Sequence, residues 1–336
     1  MTAGAEDATL AVARDAVRRF GLGDACAVAL LNVSENHTYR VDDPDNGRRY
    51  ALRLHRPGYR TAAQIESELA WTDALSADGV VETPPVSAAP GGTRVVTASA
   101  DGAEPRHAVL FEWLTGSEPG LDDGPAAIER FAALGAITAR MHGHARAWRA
   151  PAAFTRPRWD HEHTLGPDGH WGRWQDGLGI GPDELELLTR LDETIAARLR
   201  AYGQGPERFG LVHADLRLAN LLIDEGDVRV IDFDDCGFSW FVYDFATAVS
   251  FIEDHPRVPE LRDAWVQGYR TVAELEPAAE AELDTAVMLR RLLLVAWVGS
   301  HHTFATEAAE LGAGFTAGTC ALAEAYLSTH GSTGEV

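Results

Sequence analysis

Along its first third the chain changes hydrophobic period twice. Residues 8–20 carry apolar side chains at helical spacing, and Gly21 and Gly23 end that helix. Residues 26–33 and 37–43 then read as strands, as does the run from Tyr50 to His55 beyond the turn Asp43-Pro-Asp-Asn-Gly47. A helix is predicted over 61–77, Pro84 and Pro85 break the chain, and two more strands fall near 93–99 and 106–112. From residue 124 the pattern turns helical, over 124–142, 182–201, 257–273, 278–300 and 303–329. One hairpin interrupts it, Leu221 to Ile223 and Val228 to Asp232, turned by Asp224-Glu-Gly-Asp227; residues 150–180, rich in Trp, His and Gly, read as irregular. The expected fold is α+β with two lobes. A small, mostly antiparallel sheet with one long helix fills 1–112, a larger helical lobe fills 117–331, and a hinge at 111–116 leaves a cleft between them.

Composition narrows this further. The chain has 336 residues, 46% of them hydrophobic, enough for a sizeable core. No apolar run approaches the roughly eighteen residues of a membrane span, and residues 1–7 lack the layout of a signal peptide. Cys26, Cys236 and Cys320 are too far apart for a disulfide framework or a zinc site, so reduced thiols in the cytoplasm are expected. The formal net charge of −22 argues against a nucleic-acid partner, which requires a basic footprint. It fits either general solubility or an acidic pocket for a cationic substrate. Lysine is absent altogether: all 29 basic residues are arginine, which excludes a Walker-type phosphate loop.

The chemistry concentrates in His213-Ala-Asp-Leu-Arg-Leu-Ala-Asn220, the hairpin, and Ile231-Asp-Phe-Asp234. Phosphoryl transfer needs a group to take the hydroxyl proton, ligands for a divalent cation, and positive charge around the γ-phosphate. A hairpin brings its two ends together, so Asn220 and Asp232 are expected to be neighbours. One amide oxygen and one carboxylate suit Mg2+, which keeps waters and takes few protein ligands. Asp215 would then face the incoming hydroxyl.

The string is similar to that of the aminoglycoside phosphotransferase/choline kinase superfamily, relatives of protein kinases. The wording Ile231-Asp-Phe-Asp-Asp-Cys-Gly237 and Trp240-Phe-Val-Tyr-Asp244 resembles its stress-response kinase and homoserine or hydroxylysine kinase branch, and the likeness spans nearly the whole chain. The resemblance implies a protein-kinase-like fold, ATP (or GTP) and Mg2+ as cofactors, Asp215 as catalytic base, Asn220 and Asp232 as metal ligands, and Asp244 as a brace of the catalytic loop. Arg217, two residues after Asp215, stands where serine/threonine kinases carry a γ-phosphate lysine; a surface ion pair is the other expectation for it. Arg53, in Tyr50-Ala-Leu-Arg-Leu-His55, occupies the point of the nucleotide-binding lysine, although arginine is longer, planar and permanently charged. Its helix partner would be Glu68 rather than Glu66. Ser34 and Asn36 would cover the phosphates, and backbone groups of Glu112 and Leu114 would read the base at the hinge.

By the resemblance Asp234 and Asp235 stand at the floor of the acceptor pocket, where they would attract a cation or, equally, make a second Mg2+ contact or a hydrogen-bonded turn; Trp240, Phe241 and Trp297 are candidate lining or core. The pairs His142/His144, His161/His163 and His301/His302 lack a third metal ligand. Gly21-Leu-Gly23 and Gly177-Leu-Gly179 complete no dinucleotide fingerprint, and no Gly-x-Ser-x-Gly elbow occurs. The leading expectation is transfer of the γ-phosphate to a hydroxyl of a small molecule: an amino alcohol, amino sugar or antibiotic. The alternatives are a serine/threonine protein kinase and a pseudokinase-like nucleotide-binding regulatory module, the latter motivated by Arg53.

Overall fold

The computed structural model describes residues 3–121 and 124–331. Its first part is a sheet in the order β1-β2-β3-β6-β4, with β5 also paired to β6 and the pairs antiparallel. The strands are β1 (Ala27–Val33), β2 (His37–Asp42), β3 (Arg49–Leu54), β4 (Val86–Ser87), β5 (Val96–Ala98) and β6 (Arg106–Glu112). Helix α1 (Ala3–Arg19) packs on one face, where Tyr50, Leu52 and Leu54 of β3 join Val12, Ala16 and Val17 in one core. The two-residue period of a strand sends Ala51 and Arg53 to the other face, under helix α2 (Ala62–Ala77).

Helix α2 begins at a capping box. Thr61 accepts from the Gln64 amide, and Gln64 accepts from the Thr61 amide at 3.0 Å. Its inward stripe is Ile65, Glu68, Leu69, Thr72 and Leu75, so helical spacing alone carries Glu68 under the sheet. Glu66 falls on the outer side and pairs with Arg94 at 2.8 Å.

The second part is helical. Helix α3 (Pro125–Ala147) crosses α7 (Val258–Arg270) so closely that a Cβ on Gly135 would lie 2.0 Å from the Trp265 carbonyl oxygen. Between them in sequence lie α4 (His161–Leu165), α5 (Pro182–Tyr202) and α6 (Tyr243–Ala248); α8 (Pro277–Glu280), α9 (Leu283–His301) and α10 (Thr306–His330) follow. Two small antiparallel pairs carry the loops that bear Asp215, Asn220 and Asp232: β7 (Phe209–Val212) with β10 (Gly237–Trp240), and β8 (Leu221–Asp224) with β9 (Asp227–Val230). The helix expected over 278–300 is thus two elements, α8 and α9, and α4 lies in the segment expected to be irregular.

The segment after β6 is fastened to the second part. Ser117 and Ile223 exchange backbone hydrogen bonds of 3.0 and 2.9 Å. Gly116, at φ 137°, packs where a Cβ would stand 2.9 Å from that of Leu222, so only glycine fits the crossing. Among the described residues no helix is long and apolar enough to cross a membrane. Cys26, Cys236 and Cys320 are free thiols.

Candidate active site

The loop after β7 is shaped by α6. Asp244, fully buried, accepts from the His213 amide at 3.2 Å and the Ala214 amide at 2.8 Å, while Thr247 Oγ1 accepts from the Leu216 amide at 2.9 Å. These captured amides hold Ala214 in the left-handed region (φ 66°), which a non-glycine residue rarely adopts. His142 of α3 donates to Asp244 at 3.0 Å from Nε2 and meets the Tyr269 hydroxyl at 3.2 Å through Nδ1. His142 is therefore a buried brace, not a metal ligand. Burial also holds the His213 imidazole below its ordinary pKa. Its Nε2 donates to the Ile231 carbonyl and its Nδ1 accepts from the Asp215 amide, which defines a neutral tautomer joining the segments of Asp215 and Asp232. Asp244→Ala would orphan these buried donors, at about 1–3 kcal/mol each. A lower melting temperature and lost turnover are expected, and a variant with the kcat of the parent protein would remove Asp244 from this role.

The hairpin joins its ends as the sequence implies. The Ile231 amide donates to the Asn220 carbonyl at 2.9 Å, and Asp215, Asn220 and Asp232 line one cleft. Asn220 Nδ2 donates to the Asp215 carbonyl (2.9 Å) and to its Oδ2 (2.7 Å). Both amide hydrogens are taken up there, so the Asn220 side-chain oxygen is the atom left for a cation. Asp232, itself left-handed at φ 61°, places a carboxylate that is 46% exposed at the cleft wall. Partial desolvation at the cleft wall, with Asp234 and Asp215 nearby, raises its pKa to about 6 against the pull of Arg53. Among the described residues no group of three or more His, Cys, Asp or Glu side chains is arranged to hold a metal ion. The fitting set is this amide oxygen and carboxylate. A carboxylate whose ionisation is opposed by neighbouring carboxylates is one that a divalent cation relieves.

Arg53 is buried and links two carboxylates. Nη1 donates to Glu68 at 2.6 Å and Nη2 to Asp232 at 3.0 Å, with the guanidinium 5.0 Å from the Phe111 ring centre. Glu68 rather than Glu66 is its partner. Ser34 and Asn36 form the β1–β2 turn, where the Ser34 amide donates to the Asn36 carbonyl at 3.0 Å. Asn36 Nδ2 donates to Asp234 at 2.8 Å, tying that turn to the catalytic segment. Glu112 ends β6 with its amide donating to Pro85 O at 2.8 Å and its side chain exposed; Leu114 follows, half-buried. Arg217 grips Glu307 with Nη1, at 2.9 and 3.1 Å, so it sits in an ion pair at the cleft rim.

The floor carries more charge than the sequence pattern showed. Burial opposes ionisation of Asp234, but His55, Arg60, Arg53 and Arg156 around it hold its pKa below the ordinary range. Asp235 accepts from the Tyr59 hydroxyl (2.9 Å) and Arg60 (2.7 Å). Burial and the carboxylates of Asp234, Asp215 and Glu35 nevertheless push its pKa up. Glu35, at the tip of the β1–β2 turn, accepts from Trp297 Nε1 at 2.7 Å and lies 3.0 Å from His301 Nε2. Trp297 does line the cleft, beside Trp171. Trp240 does not: β10 turns it inward against Phe209, and its Nε1 donates to the Gly203 carbonyl at 2.7 Å. Phe241 lies behind the catalytic loop, 4.6 Å from the His142 ring.

The sequence reading missed Arg290. From α9 it donates to Asp215 Oδ1 at 2.7 Å while 3% exposed. A signal existed in Arg290 and Arg291 standing inside the apolar run Leu289-Arg-Arg-Leu-Leu-Leu-Val-Ala-Trp297, since arginine is rarely buried unless paired.

Fold and site together define a kinase-like phosphotransferase. Residues 28–283 match the phosphotransferase enzyme family, and the chain belongs to that family. It is similar to a microcompartment-associated aminopropanol kinase of known structure, at 48% identity and a TM-score of 0.87, over 96% of this chain and 98% of that one. An amicoumacin kinase of Bacillus subtilis (strain 168) is 25% identical over 318 residues, 90% of each chain. Amicoumacin kinase hAmiN, solved with AMP-PNP, Ca2+ and Ami, shares the fold at 23% identity and a TM-score of 0.74, over 92% of each chain.

Proposed function

We propose that this phosphotransferase moves the γ-phosphoryl group of ATP, or GTP, to the hydroxyl of a small amino alcohol. The observation that carries the reading is the convergence of Asp215, Asn220 and Asp232 on one cleft. Mg2+ held by the Asn220 oxygen and Asp232 would neutralise charge on the β- and γ-phosphates. Two lone-pair sites of the Asp215 carboxylate are occupied by Asn220 and Arg290. Carboxylate oxygens offer about four such sites, so lone pairs remain to orient the acceptor hydroxyl and take its proton. Arg53, held by Glu68, would meet the α- and β-phosphates, with the nucleotide between the lobes divided at 111–116 and its base against the backbone of Glu112 and Leu114. Ser34, at the cleft mouth, would cover the phosphates.

Charge in the cleft supports the acceptor class. Glu35 and Asp235 face the same cleft as Asp215, from the β1–β2 turn and from the catalytic segment respectively. Four of the arginines beside them are already matched, Arg53 with Glu68 and Asp232, Arg60 with Asp235, Arg217 with Glu307 and Arg290 with Asp215, while Arg156 donates to backbone carbonyls. An ammonium group relieves this crowding, and an acceptor carboxylate would add to it. The 48% identity to an aminopropanol kinase supports the same class. Ethanolamine and 1-amino-2-propanol should therefore exceed serine and threonine in kcat/KM by about 100-fold, the scale of a few kcal/mol of like-charge repulsion. Acceptor-dependent ADP release with Mg2+ measures it; equal rates for the two sets would remove the exclusion of acceptor carboxylates, equal rates with 1,2-propanediol would remove the ammonium preference, and transfer to protein hydroxyls in preference to all of these would favour a protein kinase.

A further inference from the structure

The phosphotransfer reading gives the buried charge of Arg290 no role of its own. Arg290 lies in the interior of α9, and its guanidinium emerges at the cleft wall beside Asp215. It is anchored on several sides. Nε donates to Ser250 Oγ at 3.2 Å, Nη1 to the Tyr243 hydroxyl at 3.5 Å, and the guanidinium lies 5.2 Å from the Trp171 ring centre. Nη2 makes the 2.7 Å contact with Asp215 Oδ1. Its neighbour Arg291 makes a useful contrast. Arg291 pairs with buried Glu253 at 2.6 Å and donates to Thr319, so its charge is satisfied inside the helical part, away from the cleft.

Asp215 needs more than Asn220 to stay in place. Asn220 holds one carboxylate oxygen, which leaves the carboxylate plane free to turn about the last side-chain torsion, a broad and soft one. The surrounding charge also works against a fixed position, because Glu35, Asp232, Asp234 and Asp235 line the same cleft. A cation on the second oxygen, itself unable to move, fixes both the plane and the direction of the remaining lone pairs. Placing arginine there is costly unless it is paired, and Asp215 is the carboxylate that pairs it.

We infer that Arg290 is a positioning residue for phosphoryl transfer, clamping the Asp215 carboxylate from the side opposite Asn220 so that it meets the acceptor hydroxyl in a productive orientation. The inference rests on Asp215 being the base. It makes Arg290 a determinant of kcat and not of nucleotide binding, since its contacts are to Asp215, Ser250, Tyr243 and Trp171.

The test compares Arg290→Lys and Arg290→Ala with the parent protein, using ATP, Mg2+ and 1-amino-2-propanol. A misplacement of about 1 Å is worth about 100-fold in rate, so kcat of Arg290→Ala should fall by that order while the KM for ATP stays within about twofold. Arg290→Lys should recover part of the loss, and guanidinium added below denaturing concentration should raise kcat of the alanine variant but not of the parent. A kcat for Arg290→Ala within a few-fold of the parent would overturn the inference. So would a loss that neither lysine nor guanidinium relieves and that follows a lower melting temperature, since that marks a packing role alone. If the parent transfers phosphate and Asp215→Asn does not, failure at Arg290 leaves the phosphotransfer reading standing; if the parent transfers none, both fall.

Discussion

Asp215→Asn is expected to lower kcat by about 10²–10⁴-fold, the contribution of a positioned general base. The substitution keeps size and shape but removes the proton acceptor. It also breaks a symmetric arrangement, because Asn220 Nδ2 donates to one Asp215 oxygen and Arg290 Nη2 to the other, each at 2.7 Å. A side-chain amide can accept from only one of them and must turn its own N–H2 toward the other donor, at a cost of about 1–3 kcal/mol. The expected outcome is a folded protein with a somewhat lower melting temperature, nearly unchanged nucleotide affinity and very little turnover. Steady-state kinetics with a calorimetric scan checks both halves, and a variant turning over at the parent rate would take the base assignment with it.

Arg53→Ala has the largest expected effect on stability, about 3–5 kcal/mol, because it strands a buried carboxylate. Glu68 is 1% exposed, and Arg53 is its ion-pair partner at 2.6 Å. Losing a charged donor to the phosphates is worth about 1.5–3 kcal/mol, so the KM for ATP should also rise about 10–100-fold. Arg53→Lys separates the two roles. A single ammonium on a shorter reach can satisfy Glu68 but cannot bridge it to Asp232 as the forked guanidinium does at 2.6 and 3.0 Å. Most of the stability should return with lysine. Urea melts of the three proteins measure this, and alanine and lysine variants as stable as the parent would show that the bridge contributes little.

Much of this was legible in the chain because it depends on local spacing. The period of α2 alone separates Glu68 from Glu66, and the hairpin alone joins Asn220 to Asp232. The two-residue period of β3 places Arg53 and Ala51 opposite Tyr50 and Leu52. What stayed hidden depends on long-range packing. Arg290 reaches Asp215 across 75 positions of sequence, from a helix whose composition reads as core. Glu35 joins the cleft only because its turn folds onto Trp297 and His301 of α9. For Arg217, the offset from Asp215 places the stem, but Glu307, 90 residues away, decides where the guanidinium goes. Trp240 misled for a similar reason. Its neighbours in sequence belong to the site, yet β10 pairs with β7, and that pairing faces the indole toward Phe209.

If the cleft around Asp215 carries a phosphoryl group to a small amino alcohol, the phosphorylated product reports it. Incubating the protein with ATP, Mg2+ and 1-amino-2-propanol and weighing the acceptor by mass spectrometry should show the gain of one phosphoryl group, absent without Mg2+ and absent in Asp215→Asn. An unmodified acceptor across a panel of amino alcohols, or the same phosphorylated product from Asp215→Asn, would contradict the account.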